Sequence, residues 1–261
     1  MTIETTTPMR YAALSTLCLL LAACGSGGSI ESTAVDPCAG VAGCVQVAVV
    51  DVDGDGSLDR VGVVNQAEDF INGGTPDPTT KSAGPITALV GIGQKVHRLT
   101  VESGGLTFRE PAEIYRGAFA MTRTPGADLV LHTAIGQGGS DMFAVISWDG
   151  NALVTVAPPQ PLIANAAGLW AMASSHGYRD SIRCTEPGEI VRVRLATSLQ
   201  DGNRNLDKNG GKREEDKYTF AGGAWQPAGS ENFADNSLSY TDGWSSHANA
   251  FGECKNLGRK Q

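Results

Sequence analysis

The stretch Val45-Gln-Val-Ala-Val-Val50, Asp51-Val-Asp53-Gly-Asp55-Gly-Ser57-Leu-Asp59, Arg60-Val-Gly-Val-Val-Asn65 decides how this chain reads. Two short apolar runs, rich in β-branched residues, flank an acidic loop bent by two glycines. Such runs suit buried strands, and four to eight residues is a strand's length rather than a helix's. Between them, aspartates alternate and converge on a point. In water alone four carboxylates would repel one another there. A hard cation that takes six to eight oxygen ligands relieves that repulsion, and Ca²⁺ suits it better than Mg²⁺, which demands a strict octahedron and keeps more water. The expected ligands are Asp51, Asp53, Asp55 and Asp59 through carboxylate oxygens and Ser57 through its backbone carbonyl. Gly56 supplies the sharp turn.

Outward from the loop the same grammar repeats. Ile86–Val90, Val96–Val101, Leu129–Ala134, Met142–Trp148 and Leu153–Ala157 are short runs separated by turn residues, and Asp149-Gly150-Asn151 is a good hairpin signal. Glu189–Leu195 alternates Val191, Val193 and Leu195 with Arg192 and Arg194, the period of a half-buried strand. Tyr218 and Phe220 alternate likewise ahead of Gly222-Gly223. Helical periodicity is confined to short pieces near Glu110–Tyr115 and Glu231–Ser237. Gly73–Gly84 and Asp201–Asp216 read as long loops, the second a charged hairpin tip. The expected fold is all-β, a single domain of antiparallel hairpins with about ten strands, arranged as a β-sandwich or a small, incomplete propeller-like structure.

Of 261 residues, 33 are glycine, nearly twice the usual share of about 7%. Hydrophobic residues make up 41% and charged residues 18%, which excludes a disordered polyelectrolyte. A net charge of −8 argues against nucleic acid or an anionic lipid surface as a partner.

Tyr11–Ala23 (YAALSTLCLLLAA) carries no charge. It is too short to span a bilayer and suits the apolar core of a secretory signal. It ends in Leu21-Ala22-Ala23-Cys24, followed by Gly-Ser-Gly-Gly-Ser. This resembles the lipobox of bacterial lipoproteins. The resemblance implies cleavage before Cys24 and acylation (palmitate among the chains) at Cys24, with Gly25–Ser29 as part of a flexible tether. It also implies a lipid-anchored protein of the cell envelope, sorted to the outer membrane in a Gram-negative cell. Glu4 and Arg10 cancel in the segment before the apolar run, and Met9 is a better start than Met1. The expected layout is a signal peptide over 1–23, a lipidated tether over 24–37, and a β-rich domain over 38–261 with the calcium loop at 51–59.

With Cys18 in the leader and Cys24 acylated, Cys38, Cys44, Cys184 and Cys254 remain in an oxidising setting. Of the three connectivities, Cys38–Cys44 with Cys184–Cys254 is favoured. The first closes a tight loop beside the first strand. The second ties the C-terminal segment to the body, for about 4 kcal/mol in the loop-entropy account. The absence of a Cys-x-x-Cys argues against a zinc cluster.

The acidic loop overlaps the first half of an EF-hand, but its twelfth position is Gly62 rather than the bidentate glutamate, and its flanks are strands. Strand–DxDGDGxxD–strand instead resembles the calcium loops of FG-GAP and VCBS repeats. That resemblance covers residues 45–66 and implies a structural ion on Asp51, Asp53, Asp55 and Asp59. FG-GAP proteins repeat the loop. Here there is one clear copy, with Gly126-Ala127-Asp128 and Asp149-Gly150-Asn151 as candidate carboxylate-poor descendants.

No Gly-x-Ser-x-Gly, Ser-x-x-Lys, His-Glu-x-x-His or Walker-type loop appears in the sequence. His132 with Ser140, and the His176–Asp180 cluster, read as structural polar groups. The expectation is therefore no catalytic residue and no enzyme, but a Ca²⁺-stabilised binding or scaffold module. Its partners are the membrane, through the lipid, and an envelope protein or a glycan. The alternatives are a secreted hydrolase of envelope polymers and a carbohydrate-binding module using Trp148, Trp170, Trp225 and Trp244.

Overall fold

The computed structural model describes residues 32–66, 68–72, 74–82, 84–103, 107–108, 110–122, 126–135, 140–159, 168–173, 178–197, 211–235, 250–252 and 254–258. The signal-peptide, acylation and tether expectations at 1–31, together with Trp244 and His176, lie outside them. The strands are β1 (Val45–Val50), β2 (Asp59–Asn65), β3 (Glu68–Asn72), β4 (Thr75–Ser82), β5 (Ile86–Ile92), β6 (Lys95–Val101), β7 (Thr107–Phe108), β8 (Tyr115–Phe119), β9 (Asp128–Ile135), β10 (Ser140–Trp148), β11 (Leu153–Thr155), β12 (Trp170–Ala173), β13 (Tyr178–Glu186), β14 (Glu189–Thr197), β15 (Gly211–Ala221) and β16 (Ala224–Asp235). The protein is all-β, as the sequence implies. Among the described residues a single 3₁₀ turn, Pro111–Glu113, precedes β8.

Three antiparallel meanders follow one another along the chain. They are ordered β1-β2-β5-β6, β8-β9-β10-β11 with β12 beside β11 on the same edge of β10, and β13-β14-β15-β16. Four strands in simple up-and-down order is the connectivity of a propeller blade. A small sheet, β3-β4-β7, is inserted between β2 and β5.

The middle meander is apolar on both faces. On β10, Ala144 and Ile146 join a cluster with Val61, Val63, Ala88 and Val90 of the first meander. Phe143 and Val145 point the other way, into a cluster with Ile182, Ile190, Tyr218 and Trp225 of the third. The period-two alternation of a strand thus feeds two cores, and burying such side chains supplies the main stabilisation. Packed sheets of this kind place the middle meander between its neighbours.

Several local expectations are corrected. Gly73–Gly84 is no open loop: β4 pairs with β3 from Asn72↔Thr75 to Glu68↔Ser82. The register shift in that ladder leaves Pro78 unpaired, which is how a strand tolerates proline. Glu231–Asp235 is strand rather than helix, because it pairs with β15 from Glu215↔Glu231 to Gly211↔Asp235. Residues 211–216 of the expected charged tip belong to the same hairpin. Tyr115 begins a strand, since it pairs with Leu131 of β9. On β14, Arg192 is not solvent-facing. It is 4% exposed and its Nη2 lies 3.0 Å from Asp180 Oδ1, a buried charge kept tolerable by its partner.

Both expected disulfides are present. Cys38 and Cys44 are bonded with Cα atoms 5.3 Å apart, and Cys184 and Cys254 with Cα atoms 4.7 Å apart. The first sits directly on Gly62 of β2, where a Cβ would lie 2.7 Å from Cys38 Sγ and 2.9 Å from Cys44 Sγ. The position at which an EF-hand carries its last ligand is therefore filled by sulfur. The second disulfide anchors residues 250–258, whose backbone also bonds through Ala250 O to Ile182 N and through Leu257 N to Ala118 O.

Candidate metal centre and a buried polar relay

The acidic loop joins β1 to β2, and the ladder Val50↔Asp59 closes its base. Gly54 (φ 79°) and Gly56 (φ 88°) take left-handed conformations that let the chain double back. One ligand atom each from Asp51, Asp53 and Asp59 lies within 4.8 Å of the others. Two oxygens bound to one Ca²⁺ at about 2.4 Å are at most about 4.8 Å apart, so the trio meets the spacing such an ion imposes. Asp55 is not part of this trio. It is exposed, and its Oδ1 accepts from Ser57 N at 2.6 Å.

Hydrogen bonds hold the loop in shape. Asp51 Oδ1 accepts from Gly54 N at 2.6 Å and Oδ2 from Gly56 N at 2.9 Å. Asp53 Oδ1 accepts from Asp55 N at 3.1 Å. Asp59 Oδ2 accepts from Val52 N at 2.8 Å and Asp53 N at 3.4 Å. Each carboxylate oxygen has two lone pairs, so these bonds orient the groups without exhausting them. Asp59 is 2% exposed. Burial pushes its carboxyl up to about 6; Asp53 and Asp51 push the same way, while the N–H groups of Val52 and Asp53 oppose them. A buried carboxylate crowded by two others is the donor set a divalent cation would satisfy.

The loop has a second wall. Gly126, at φ 101°, lies so close that a Cβ there would stand 2.1 Å from Val52 O and 2.8 Å from Gly54 N. Ala127 N donates to Asp51 O at 2.9 Å. The β8–β9 connection thus braces the acidic loop from outside.

His132, on β9, is 2% exposed and Asp141, on β10, is 1% exposed. His132 Nε2 lies 3.0 Å from Asp141 Oδ1, and Arg116 Nη2 lies 2.9 Å from His132 Nδ1. Arginine can only donate, so Nδ1 accepts and the ring proton sits on Nε2, toward Asp141. Both ring nitrogens thus have a charged neighbour, Asp141 at Nε2 and Arg116 at Nδ1, while Ser140 pairs through its strand position with Ala173. Sequence reasoning gave Arg116 no weight. Its signal was a lone cation within the otherwise apolar Tyr115–Phe119.

Of the four tryptophans, Trp170 is 0% and Trp225 6% exposed. They meet edge to face in the second core, ring centroids 6.1 Å apart. Trp148 packs edge-on against His97, at 4.6 Å. Trp170 and Trp225 thus have packing roles in the core.

No family model matches the chain, and no curated protein matches it in sequence. One solved structure, titled "Structure of a Xanthomonas Type IV Secretion System related protein", aligns over 75% of this chain and 97% of its own at 12% identity, with a TM-score of 0.30. Likeness at that level carries no inference.

Proposed function

We propose that this is an exported, lipid-anchored envelope protein whose β-domain is stabilised by a structural Ca²⁺ and acts as a binding or scaffold module. The observation that carries the reading is the convergence of Asp51, Asp53 and Asp59 within 4.8 Å of one another. In this reading Asp51, Asp53 and Asp59 hold the ion, and Asp55 and the Ser57 carbonyl complete its shell directly or through water. The ion would offset the repulsion among the carboxylates and lock the loop against Gly126 and Ala127. The Cys38–Cys44 and Cys184–Cys254 disulfides support an oxidising compartment, and the Leu21–Cys24 lipobox supports acylation at Cys24. In a Gram-negative cell the destination is the outer membrane. The partner is an envelope protein or a glycan.

The test is a melting curve of the mature protein in EDTA, in Mg²⁺ and in Ca²⁺. Affinity is expected in the range of extracellular modules, Kd on the order of 10⁻⁴–10⁻³ M. Millimolar Ca²⁺ raises Tm, Mg²⁺ does so less, and Asp51→Ala abolishes the response. Identical curves in EDTA and Ca²⁺ would sink the calcium claim. For the anchor, detergent-phase partitioning is lost in Cys24→Ala; retention of the variant in the detergent phase would refute acylation there.

A further inference from the structure

A second candidate site lies on the far side of the middle meander from the acidic loop and owes nothing to it. A cavity of about 190 Å³ opens between β8, β10 and the disulfide-anchored segment 250–258. Its walls are the rings of Phe119, Phe143 and Phe251, with Arg116 and Asn256 as the side chains bearing strong hydrogen-bond donors. The three rings pack on one another, Phe143 and Phe251 edge to face at 5.4 Å and Phe119 and Phe251 stacked at 5.9 Å. A dry engineered cavity of about 150 Å³ suffices for benzene, so this one admits a single ring with a small substituent.

The cation on its wall selects that substituent. Arg116 carries five N–H donors. One is committed to His132 Nδ1, while Nε is buried with no hydrogen-bond partner among the described residues. On the other side of the ring, Asp141 Oδ1 lies 3.0 Å from His132 Nε2. Burial works against the charged guanidinium, with Asp141 and Glu113 pulling the other way. Asn256 Oδ1 accepts from Ala118 N and Gly258 N, which leaves the Nδ2 end as the donor this side chain can offer. A desolvated guanidinium beside an apolar chamber is complementary to a carboxylate on an apolar body, since Arg pairs with carboxylates through two parallel hydrogen bonds.

We infer that this cavity binds a small carboxylate with a ring-sized apolar body, the carboxylate on Arg116 and the body against Phe119, Phe143 and Phe251. His132 and Asp141 act as positioning residues that fix the guanidinium. The polar relay and the aromatic chamber, otherwise unrelated features of one sheet, become parts of one site.

The test uses the mature protein in EDTA, so that the acidic loop does not contribute, with calorimetric titration of four probes: benzoate, hexanoate, benzyl alcohol and acetate. Benzoate is expected to bind about tenfold or more tightly than benzyl alcohol, which lacks the charge, and than acetate, which lacks the body. Hexanoate shows whether a chain can replace the ring. Arg116→Gln weakens benzoate about tenfold or more, and Arg116→Lys, which keeps the charge without the fork, weakens it less. Equal affinity for benzoate and benzyl alcohol would overturn the inference, as would no heat with any probe, or unchanged benzoate binding in Arg116→Gln. If Arg116→Gln does not fold, the wild-type probe series and Arg116→Lys decide alone, with unchanged benzoate affinity in the lysine variant counting against the site.

Discussion

Asp59 and Asp128 hold matching stations in successive sheets. Each is the first residue of the second strand in an antiparallel pair, opposite Val50 and Phe119 respectively. Each accepts backbone N–H from the residues seven and six positions earlier: Val52 and Asp53 for Asp59, Met121 and Thr122 for Asp128 at 2.9 and 2.7 Å. The intervening loops, 51–58 and 120–127, are equal in length. The two loops share this pair of hydrogen bonds but not their charge, with Met121 and Thr122 where Val52 and Asp53 stand.

The shared role predicts a shared penalty. Asp128→Ala would take the carboxylate from the buried N–H groups of Thr122 and Met121, the latter keeping the Phe119 carbonyl at 3.1 Å, and cost about 1–3 kcal/mol. Asp128→Asn keeps an acceptor oxygen and should cost much less. Urea denaturation of the two variants measures the difference, and equal losses would show that an amide oxygen cannot stand in for the carboxylate as the acceptor that holds the loop.

Asp59 predicts a pH dependence in the absence of cation. Its folded carboxyl sits at about 6 against 3.8 ordinarily, so between those values the native state binds the extra proton. That favourable contribution is complete below 3.8 and is lost as pH rises through about 6. In EDTA, the wild type should lose about 2 kcal/mol relative to Asp59→Asn between about pH 4 and pH 7. Saturating Ca²⁺ should reverse the order at neutral pH. Parallel pH profiles for the two proteins in EDTA would contradict the assignment.

Gly62→Ala forces a methyl against both sulfurs of Cys38–Cys44. A loss of about 1–3 kcal/mol is expected. In a Cys38→Ala/Cys44→Ala background the same change should cost less, and the double-mutant cycle reads the coupling directly. Additive losses would mean that the methyl meets no sulfur.

Gly126→Ala meets a positive φ and the carbonyl of Val52 together, so it should destabilise the protein and also weaken the Ca²⁺ response. Loss of stability with an unaltered Ca²⁺ midpoint would show that the brace does not shape the ion site.

Much of this architecture was legible in the chain. Val45–Val50 and Ile86–Val90 are apolar runs of strand length, and each forms a strand where it was expected. The acidic loop was legible because alternating aspartates and glycines leave few other conformations. What escaped was long-range. Trp170–Ala173 carries little alternation and becomes a strand only because β10 offers it an edge. Glu231–Asp235 has helix-tolerant residues, and cross-strand pairing overrules that weak preference. Arg192 looked solvent-facing because an alternating strand has no way to announce that both its faces are covered. Arg116 was invisible for the same reason, since its partner His132 lies sixteen residues away on the next strand.

The two-sided packing of β10 bears on how the chain can be divided. Val145 and Ile146 are neighbours in sequence yet are sealed by different meanders. A fragment ending after β12 would leave Phe143, Val145 and Trp170 bare to water, and one beginning at β8 would uncover Ala144 and Ile146. Either cut invites self-association through the stripped face. The acidic loop and the aromatic chamber, though they lie on opposite sides of that sheet, are therefore inherited, expressed and lost together.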